Sequence, residues 1–421
     1  MKLETADPVM NLKHTNLHIL QKRADLTSRA KTGVSLHCHT LHSREMLDFV
    51  PHYAERLPII SYFWRKEHEK WLEREKREMN FHTGFWSPPM PPEKVFDIER
   101  GQIGATGLDP IVSVSDHDCI DANLLINKEV VNDIAPISLE WTVPYDYGFF
   151  HVGVHNLPPA RAEEITAQLL DFTFKEEGRS KETLKALFAM LNELDGLLVV
   201  LNHPLWDIEL VGDVKHRLLL ENFLNEFKAD LHALEVNGFR SWSENKAVIE
   251  MAEAYGLPTV TGGDRHGCRP NTVINITNRK TFGEFADEVR LDKRSTVVLM
   301  PEYRLPLHSR QLESFAEILD TYPEFPEGRK RWFDRVHFDI NDGHGLRPLS
   351  VHWKLGGPPW LRMAIWLLGA LGSPAARPAF SLIRSRKDVV PKSSETINFR
   401  IPMIDSMDRE FVSNLVSESG R

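Results

Sequence analysis

Two histidines stand one residue apart where the apolar run VSLHCH ends. The residues from Val34 to Leu36 have the apolar and β-branched character of a short strand. Alternate side chains of a strand point to the same face, so His37 and His39 would face one way and Cys38 the other. Two imidazoles on one face, about 7 Å apart along the backbone, can bind one metal ion. The spacing therefore predicts the start of a metal site.

Further imidazoles and carboxylates follow other strand-like runs. Their mixture suits Zn, Mn or Fe, and the lack of cysteine among them disfavours a structural zinc site. Neighbouring cations need an anionic ligand between them, and Glu140 is the natural bridge. The set is large enough for more than one divalent ion. Its members are His37, His39, Asp116, His117, Glu140, His151, His155, His203, Asp264 and His266.

Strand-like and helix-like segments alternate along most of the chain. This alternation predicts an α/β fold with a parallel sheet, closed or open. Functional residues of such folds gather at the carboxyl ends of the strands, and most of these runs end in or lead into His, Asp or Glu. The runs are VSLHCH (34–39), IVSVSDH (111–117), ISLEWTV (137–143), FHVGV (150–154), LLVVLNHP (197–204), LHALEV (231–236) and LPTVTGGD (257–264).

Three segments lie outside this alternation. Residues 1–32 form an N-terminal segment, and residues 301–421, rich in Trp, Arg and Pro, form a mostly helical C-terminal extension. The stretch 52–92 is an insertion whose charged middle, 65–78, has the opposite-charge spacing of a solvated helix. Aromatic and proline-rich residues follow it. We expect the insertion to close over the strand ends as a lid, and a surface hairpin is the alternative.

Composition excludes several classes of protein. The chain has 421 residues and a net charge of -9, which argues against a large basic surface for long nucleic acid. Three cysteines predict no disulfide framework and a reducing compartment. The first thirty residues lack the pattern of a signal peptide. The apolar stretch 358–374 is too short to span a bilayer and is typical of a buried or interfacial helix. We therefore expect a cytoplasmic protein with no membrane partner.

The order of the histidine and carboxylate motifs resembles the PHP family, the polymerase and histidinol phosphatase superfamily. The resemblance is carried by HCH, by SDHD at 115–118, by Glu140, by NHP at 202–204 and by GGDRH at 262–266. It covers about residues 33–300. It implies a distorted (β/α)7 TIM-like barrel that holds three metal ions and hydrolyses phosphoesters.

The resemblance also implies which residues bind which ion. The family usually has Asp or His seven to eight residues beyond the first histidine, where this chain has Arg44 and Glu45. We expect Glu45 to serve as that ligand; otherwise the charge of Arg44 replaces the third ion and the chemistry becomes two-metal. The implied sets are His37, His39, Glu140 and Asp264 for the first ion, Glu140, His151 and His203 for the second, and His117, His266 and Glu45 for the third.

We expect the site to hydrolyse a small phosphomonoester, such as a nucleotide or sugar phosphate, through metal-bound hydroxide. Arginine suits phosphate because its planar guanidinium group can donate two parallel N–H hydrogen bonds to phosphate oxygens. Arg265 and Arg240 are the first choices for this role, with Arg44 a further one, and a structural ion pair is the alternative for Arg265. The proton for the leaving oxygen has three candidate donors, which the sequence does not rank: Asp116, His42 and His155.

Three other functions stay open at this point. The same trinuclear site could support an exonuclease on short oligonucleotides, and exposed aromatics such as Trp86 or Trp242 would favour it. A barrel without activity could serve as a binding module. An amidohydrolase acting on C–N bonds shares the paired-histidine start, but the pair at 116–117 and the DRH at 264–266, both suited to a third ion, speak against it.

Overall fold

The structure is a computed structural model, and it describes residues 7–56, 58–76, 79, 81, 83–129, 135–208, 210–340, 342–378, 386–392 and 397–403. Strands and helices alternate in them. The strands are β1 (Val9–Asn11), β2 (Thr15–Ile19), β3 (Thr32–Ser35), β4 (Glu45–Met46), β5 (Phe85–Trp86), β6 (Asp109–Val112), β7 (Ile137–Tyr145), β8 (Gly148–Leu157), β9 (Leu198–Leu201), β10 (Ala233–Asn237), β11 (Thr259–Gly262), β12 (Val273–Thr277), β13 (Ser295–Leu299), β14 (Val336–Phe338) and β15 (Arg347–Pro348).

The helices lie mainly between the strands and pack on the sheets. They are α1 (Phe49–Arg56), α2 (Pro58–Glu75), α3 (Pro92–Gly104), α4 (Asp121–Glu129), α5 (Ala162–Phe174), α6 (Lys181–Asn192), α7 (Asp213–Phe227), α8 (Trp242–Tyr255), α9 (Phe282–Arg290), α10 (Leu307–Ile318), α11 (Leu349–His352) and α12 (Pro359–Leu371). Short 3-10 turns lie at Pro301–Arg304, Trp332–Asp334, Pro374–Ala376 and Arg386–Asp388.

Two large sheets carry the fold. One has the order β1-β2-β13-β12-β3-β6 and the other β11-β10-β9-β8-β7. The pairs β3–β6, β9–β10 and β10–β11 are parallel, as predicted. The pair β7–β8 is antiparallel, because a two-residue turn joins these strands and a parallel pair needs a long crossover. The mixed α/β class is therefore confirmed, with more antiparallel pairing than the sequence predicted.

Both edge strands of the five-stranded sheet, β11 and β7, approach the six-stranded sheet near β3 and β6. Isolated bridges join Cys38 to Arg265, beyond β3 and β11, and His117 to Glu140, beyond β6 and within β7. The described residues form no single closed sheet, so the predicted (β/α)7 barrel stays a prediction. Both bridges involve predicted site residues or their direct neighbours, which locates the site where the sheets meet.

A third, small sheet links the insertion to the C-terminal extension. Its order is β15-β14-β5-β4, so β14 pairs with β5 and β5 with β4. Trp71 of α2 packs against Phe338 of β14. The charged helix expected over 65–78 belongs to α2, which ends at Glu75; residues 77 and 78 lie outside the described part. The pairing of β4 with β5 brings the insertion next to Glu45, the first residue of β4.

Strand residues of both sheets bury their apolar side chains beside the site. Val34 and Leu36 pack with Val200 of β9 and Val260 of β11, against α9. The same strands continue into His37, His203 and Asp264, so a rigid apolar cluster supports the polar residues that follow it. We expect this support to hold those residues in fixed positions, because close-packed interiors resist local displacement.

Candidate metal centre

Nine of the predicted residues converge where the two sheets meet. We call this group the nest. Seven of its members are buried, and the remaining two, His117 and His266, are nearly so. The nest comprises His37, His39, Glu45, His117, Glu140, His151, His203, Asp264 and His266.

Glu140 lies at the middle of the nest, and its two oxygens face different histidines. Oε1 lies 3.1 Å from Nε2 of His203 and 3.3 Å from Nδ1 of His151. Oε2 lies 3.0 Å from Nε2 of His37, 3.3 Å from that of His117 and 3.4 Å from that of His39. A carboxylate with separate ligand groups on its two oxygens has the arrangement of a bridge between neighbouring cations.

Glu45 lies between two histidines at the outer end of the nest. Its Oε2 lies 3.2 Å from Nε2 of His117, and its Oε1 lies 3.1 Å from Nε2 of His266. Burial works against the charged carboxylate, but the two imidazoles hold the pKa of Glu45 well below its usual value. Arg44 points elsewhere, with its guanidinium 5.3 Å from the centre of the Phe85 ring. The geometry favours Glu45 over Arg44 at this position.

Asp264 completes the inner part of the nest. Its Oδ1 lies 3.7 Å from Nε2 of His39 and 3.8 Å from that of His37. Three of the residues here have positive φ, namely His37 at 58°, His203 at 27° and Asp264 at 51°. Such a conformation is costly for a residue with a side chain, and it clusters at functional sites.

Several buried atoms of the nest lie close to one another but make no hydrogen bond of suitable geometry. They are Nε2 of His37, Nε2 of His39 and Oε2 of Glu140. Buried polar atoms almost always have a partner, so such atoms need a physical reason. The three lie within 4.8 Å of one another, close enough to share one ion. The donors are imidazole and carboxylate, which suits Zn, Mn or Fe.

In three groups of residues, the possible ligand atoms all lie within 4.8 Å of one another. The groups overlap, because they share histidines and Glu140. Overlap of this kind allows more than one ion in a small volume. The groups are His37, His39 and Glu140; His117, Glu140 and His151; and His39, Glu45, His117 and His266.

The protonation of the nest follows from burial and from the carboxylates. Burial lowers the pKa of His39 to about 3 and that of His151 to about 4. Burial also acts on His117, but Glu45 and Glu140 outweigh it and raise its pKa to about 10. Neutral imidazole is the form that binds metal, so a bound cation would replace the proton on such a histidine.

Glu235 was not predicted from the sequence, although it lies in the strand-like run LHALEV. Its Oε1 contacts Nδ1 of His37, and its Oε2 accepts a hydrogen bond from the backbone N–H of His203 at 2.7 Å. A carboxylate on the far nitrogen of a histidine orients the ring toward a metal. The sequence feature that could have indicated Glu235 is a carboxylate inside an otherwise apolar strand. Asn202 was also not predicted, and its Nδ2 donates to Oε1 of Glu140 at 3.0 Å.

The three candidate proton donors lie in different surroundings. Asp116 is buried and accepts hydrogen bonds from Thr40 N at 2.5 Å and Oγ1 at 2.6 Å, and burial raises its pKa to about 7. His155 contacts Ser113 Oγ at 2.8 Å, and burial lowers its pKa to about 3. His42 is half-buried, and burial lowers its pKa. A proton-donor role remains a prediction for each.

The two arginines expected to bind phosphate are placed differently. Arg265 is 2% exposed, and its Nε donates to Oε1 of Glu99 at 3.0 Å. This is the structural ion pair that the sequence left as the alternative: Arg265, beyond the end of β11, reaches Glu99 of α3. Arg240 instead stacks on Trp206 at 3.8 Å, and its Nη2 lies 3.9 Å from Oδ2 of Asp264. Its Nε is buried with no hydrogen-bond partner.

Two tryptophans lie beside histidines of the nest. The ring of Trp86 is 5.6 Å from that of His266, and the ring of Trp206 is 5.0 Å from that of His203. Trp242, which the sequence also suggested as a residue that stacks on a nucleic-acid base, is buried in an apolar cluster. Aromatic faces are therefore available at both ends of the nest, but not from Trp242.

Comparison with known proteins identifies no family. No family model matches the chain, and no match was found among curated proteins. Among solved structures, an amidohydrolase from Chromobacterium violaceum with bound sulfate and no metal has 16% identity and a TM-score of 0.29, over 43% of this chain and 84% of its own. A candidate metal-dependent phosphoesterase from Bifidobacterium adolescentis has 17% identity and a TM-score of 0.31, over 49% of this chain and 92% of its own. Similarity at this level assigns neither a family nor an activity.

Proposed function

We propose that the protein is a metal-dependent phosphoesterase of the PHP type, which hydrolyses a small phosphomonoester. The observation that supports this most is the two-sided environment of Glu140, with His151 and His203 on one oxygen and His37, His39 and His117 on the other. Together with Glu45, this arrangement offers two or three adjacent cation sites, which suit the displacement reactions of phosphate esters.

The ordered motifs of the sequence support the same proposal at the level of the fold. We propose that β3, β6, β7, β8, β9, β10 and β11 act as an incompletely hydrogen-bonded (β/α)7 barrel covering residues 33–300. The bridges Cys38–Arg265 and His117–Glu140 lie at the two places where such a barrel would close. The segments 1–32 and 301–421 would then be additions to the barrel, with 52–92 inserted in it.

Different residues of the nest would bind different ions. Divalent ions bound there would supply Lewis acidity toward a phosphoryl group. His37, His39, Glu140 and Asp264 would hold the first ion, Glu140, His151 and His203 the second, and His117, His266 and Glu45 the third. Arg240 would donate its Nε–H to a phosphate oxygen, since this buried atom has Oε1 of Glu244 at 3.7 Å but makes no hydrogen bond within the protein.

A phosphodiesterase or exonuclease acting on short oligonucleotides is the second candidate. It is favoured by Trp86 and Trp206, because aromatic faces stack on nucleic-acid bases regardless of sequence. The acidic balance of the chain, with 60 acidic against 51 basic residues, favours the monoester. Arg240, with Nη2 3.9 Å from Oδ2 of Asp264, would bind the single phosphate group of a small substrate.

Metal analysis combined with a substrate screen tests the proposal. The purified protein, reconstituted with Mn, Zn or Fe, is assayed on mononucleotides, sugar phosphates and short oligonucleotides. We expect monoester turnover together with two to three bound ions per chain. Cleavage of phosphodiesters without monoester turnover would select the second candidate, and protein that binds no ion would refute both.

A histidine variant with a matched control makes this test specific to the nest. His203→Ala should lose activity and bound metal while keeping its circular dichroism spectrum, because it removes one donor at Glu140. His344→Ala, at an exposed histidine, should behave as the unaltered protein. Unchanged turnover in His203→Ala would remove this residue from the second ion.

A further inference from the structure

Helix α12 leaves apolar side chains in contact with solvent. Its sequence, PWLRMAIWLLGAL, is apolar apart from Arg362, yet none of its residues is buried. Met363 is 63% exposed, Trp366 71% and Leu367 50%. A helix that is apolar on all sides is normally covered on all sides. One face of α12 is therefore without the cover that its composition predicts.

The other face of α12 is held against the protein. Trp360 stacks on Phe63 of α2 with ring centres 5.6 Å apart. At the end of the helix, a Cβ on Gly372 would collide with the carbonyl oxygen of Leu312, so α12 approaches α10 closely there. The helix is thus anchored, and its exposed residues share one face at i, i+3, i+4 and i+8 spacing. We call this the outer face of α12: Met363, Trp366, Leu367 and Leu371.

The charge around this helix is the reverse of that of the whole chain. Between Asp342 and Asp388 the sequence has no acidic residue and seven lysines and arginines, whereas the chain carries a net charge of -9. In the described part of this stretch, Arg347 pairs with Asp342 and Arg377 with Glu313. Two further basic residues of this stretch, Lys354 in the segment before α12 and Arg362 within α12, are exposed. No acidic partner for these two occurs among the described residues.

An apolar face edged by cations is complementary to an anionic lipid surface. Helices of this composition lie in the headgroup region, with their apolar side toward the acyl chains and their Lys and Arg toward the lipid phosphates. Tyr62, which is exposed and contacts Phe63, adds an aromatic residue beside α12, and Trp and Tyr favour this depth of the membrane. At thirteen residues, α12 is about 20 Å long, less than the hydrocarbon thickness.

A second copy of the chain and a membrane-spanning helix both suit this face less well. A second copy would bring its own Lys354 and Arg362 to the same twofold interface, so like charges would meet. A spanning role is not supported either, since none of the described helices combines the length and apolarity of a bilayer span. The face of α12 suits a surface that is apolar and negatively charged.

We infer that the outer face of α12 docks on an anionic phospholipid surface, with the helix lying parallel to the membrane plane. Lys354 and Arg362 contact lipid phosphates, and Met363, Trp366, Leu367 and Leu371 enter the boundary of the acyl chains. This differs from the sequence-based expectation of no membrane partner, because the sequence does not show which face of an apolar helix its own fold covers.

Vesicle sedimentation tests the inference on the full chain. We expect the protein to sediment with phosphatidylcholine vesicles that contain phosphatidylglycerol, and much less with phosphatidylcholine alone. Trp366→Ser and Leu367→Ser should each weaken binding about tenfold, since each removes one apolar side chain from the lipid boundary. Phe174→Ser is the matched control, because Phe174 is 70% exposed at the end of α5, and it should bind as the unaltered protein.

Charge reversal separates the electrostatic contribution. Lys354→Glu and Arg362→Glu should each reduce vesicle affinity about fivefold or more, and added salt should reduce the binding of the unaltered protein. Lys13→Glu, at an exposed lysine between β1 and β2, is the control. Neither assay measures hydrolysis, so the result is independent of the proposed activity.

Three outcomes would overturn the inference. The protein could stay in the supernatant with anionic vesicles, or Trp366→Ser and Leu367→Ser could bind as tightly as the unaltered protein. It could also form a dimer by light scattering that Trp366→Ser dissociates, without binding to vesicles; a second copy would then be the partner of the outer face.

Discussion

The nest and the outer face of α12 depart from ordinary burial in opposite directions. In the nest, polar atoms such as Nε2 of His37 and Oε2 of Glu140 are buried without hydrogen-bond partners. On α12, large apolar side chains such as Trp366 lie in solvent, although Trp360 of the same helix stacks on Phe63. The first region lacks polar partners, and the second lacks apolar ones.

This difference indicates what kind of partner each region would bind. A buried unpaired polar group costs about 1–3 kcal/mol, and a cation at the nest would remove that cost by accepting lone pairs from several groups at once. Exposed apolar area is also unfavourable, and a lipid boundary would remove that cost without any directional bond. Because a ligand that binds only the folded state stabilises it, each region should respond to its own partner and not to the other's.

The largest expected effect is that of Glu140→Gln. The amide keeps the shape but cannot bridge cations with two anionic oxygens, so we expect bound metal to fall and turnover to decrease about a thousandfold. Metal content by mass spectrometry and steady-state assays measure this. Glu250→Gln is the control: it changes a carboxylate paired with Lys246, and it should keep the metal content and the turnover of the unaltered protein. Full metal content in Glu140→Gln would break the assignment of the nest as a cation site.

Arg265→Leu tests whether the buried charge of Arg265, next to the nest, stabilises the fold and does not take part in metal binding. It leaves the carboxylate of Glu99 buried and unpaired, so we expect the free energy of unfolding to fall by about 3–5 kcal/mol in urea denaturation. In the double variant with Glu99→Leu, most of this loss should be recovered. If Arg265→Leu is as stable as the unaltered protein, the Glu99–Arg265 pair is not a structural element.

Glu235→Gln should weaken metal binding without unfolding the protein. The amide contacts Nδ1 of His37 less strongly than the carboxylate does, and loss of such an orienting group reduces metal affinity about 10–100-fold. Competition with a chelator of known affinity measures the change. Glu253→Gln, at a buried carboxylate that accepts from the backbone of His14 and Thr15, is the control. Equal affinities for the two variants would argue against an orienting role.

His232 offers a buried histidine outside the nest for comparison. Its Nδ1 accepts from Val199 N at 2.9 Å and its Nε2 contacts Oδ1 of Asn192 at 2.8 Å. Burial lowers its pKa to about 3, below the ordinary value near 6.5 of the unfolded chain. The unfolded state therefore binds the extra proton first, and stability falls as the pH decreases below about 6.5, by at most about 1.4 kcal/mol per pH unit.

The measurement for His232 is the difference between two pH profiles. Urea midpoints from pH 7.5 downward, taken for the unaltered protein and for His232→Gln, should converge as the pH falls because the variant lacks this proton linkage. Parallel profiles would show that His232 does not contribute to acid sensitivity.

The smallest expected effect is that of Trp366→Ala on stability. An exposed side chain that contributes little to packing should change the free energy of unfolding by about 0.5 kcal/mol or less. Trp141→Ala is the matched core variant, and it should cost about 3–5 kcal/mol, because Trp141 is fully buried and its Nε1 donates to Leu169 O at 3.0 Å. A large loss in Trp366→Ala would show that the outer face already has a partner within the protein.

The positions of most nest residues could be predicted because they follow or lie within strand-like runs, whereas Glu45 was expected from the family resemblance. His37 and His39 follow Leu36, and His203 follows the apolar run 197–201, so the pattern indicated their place at strand ends. Glu235 was not recognised, since a carboxylate inside an apolar strand has no periodic signal of its own. The bridges between the sheets and the antiparallel pair β7–β8 were also not predicted.

The sequence by itself determined the mixed α/β class, the set of imidazole and carboxylate donors, and the basic, apolar character of the stretch around α12, because these depend on residue type and local spacing. Tertiary structure alone decided that Arg44 points toward Phe85 and away from the nest, that Arg265 pairs with Glu99 from α3, and that one face of α12 stays exposed. These outcomes depend on contacts between segments far apart in the chain, and local spacing carries no information about which distant segment will be the neighbour.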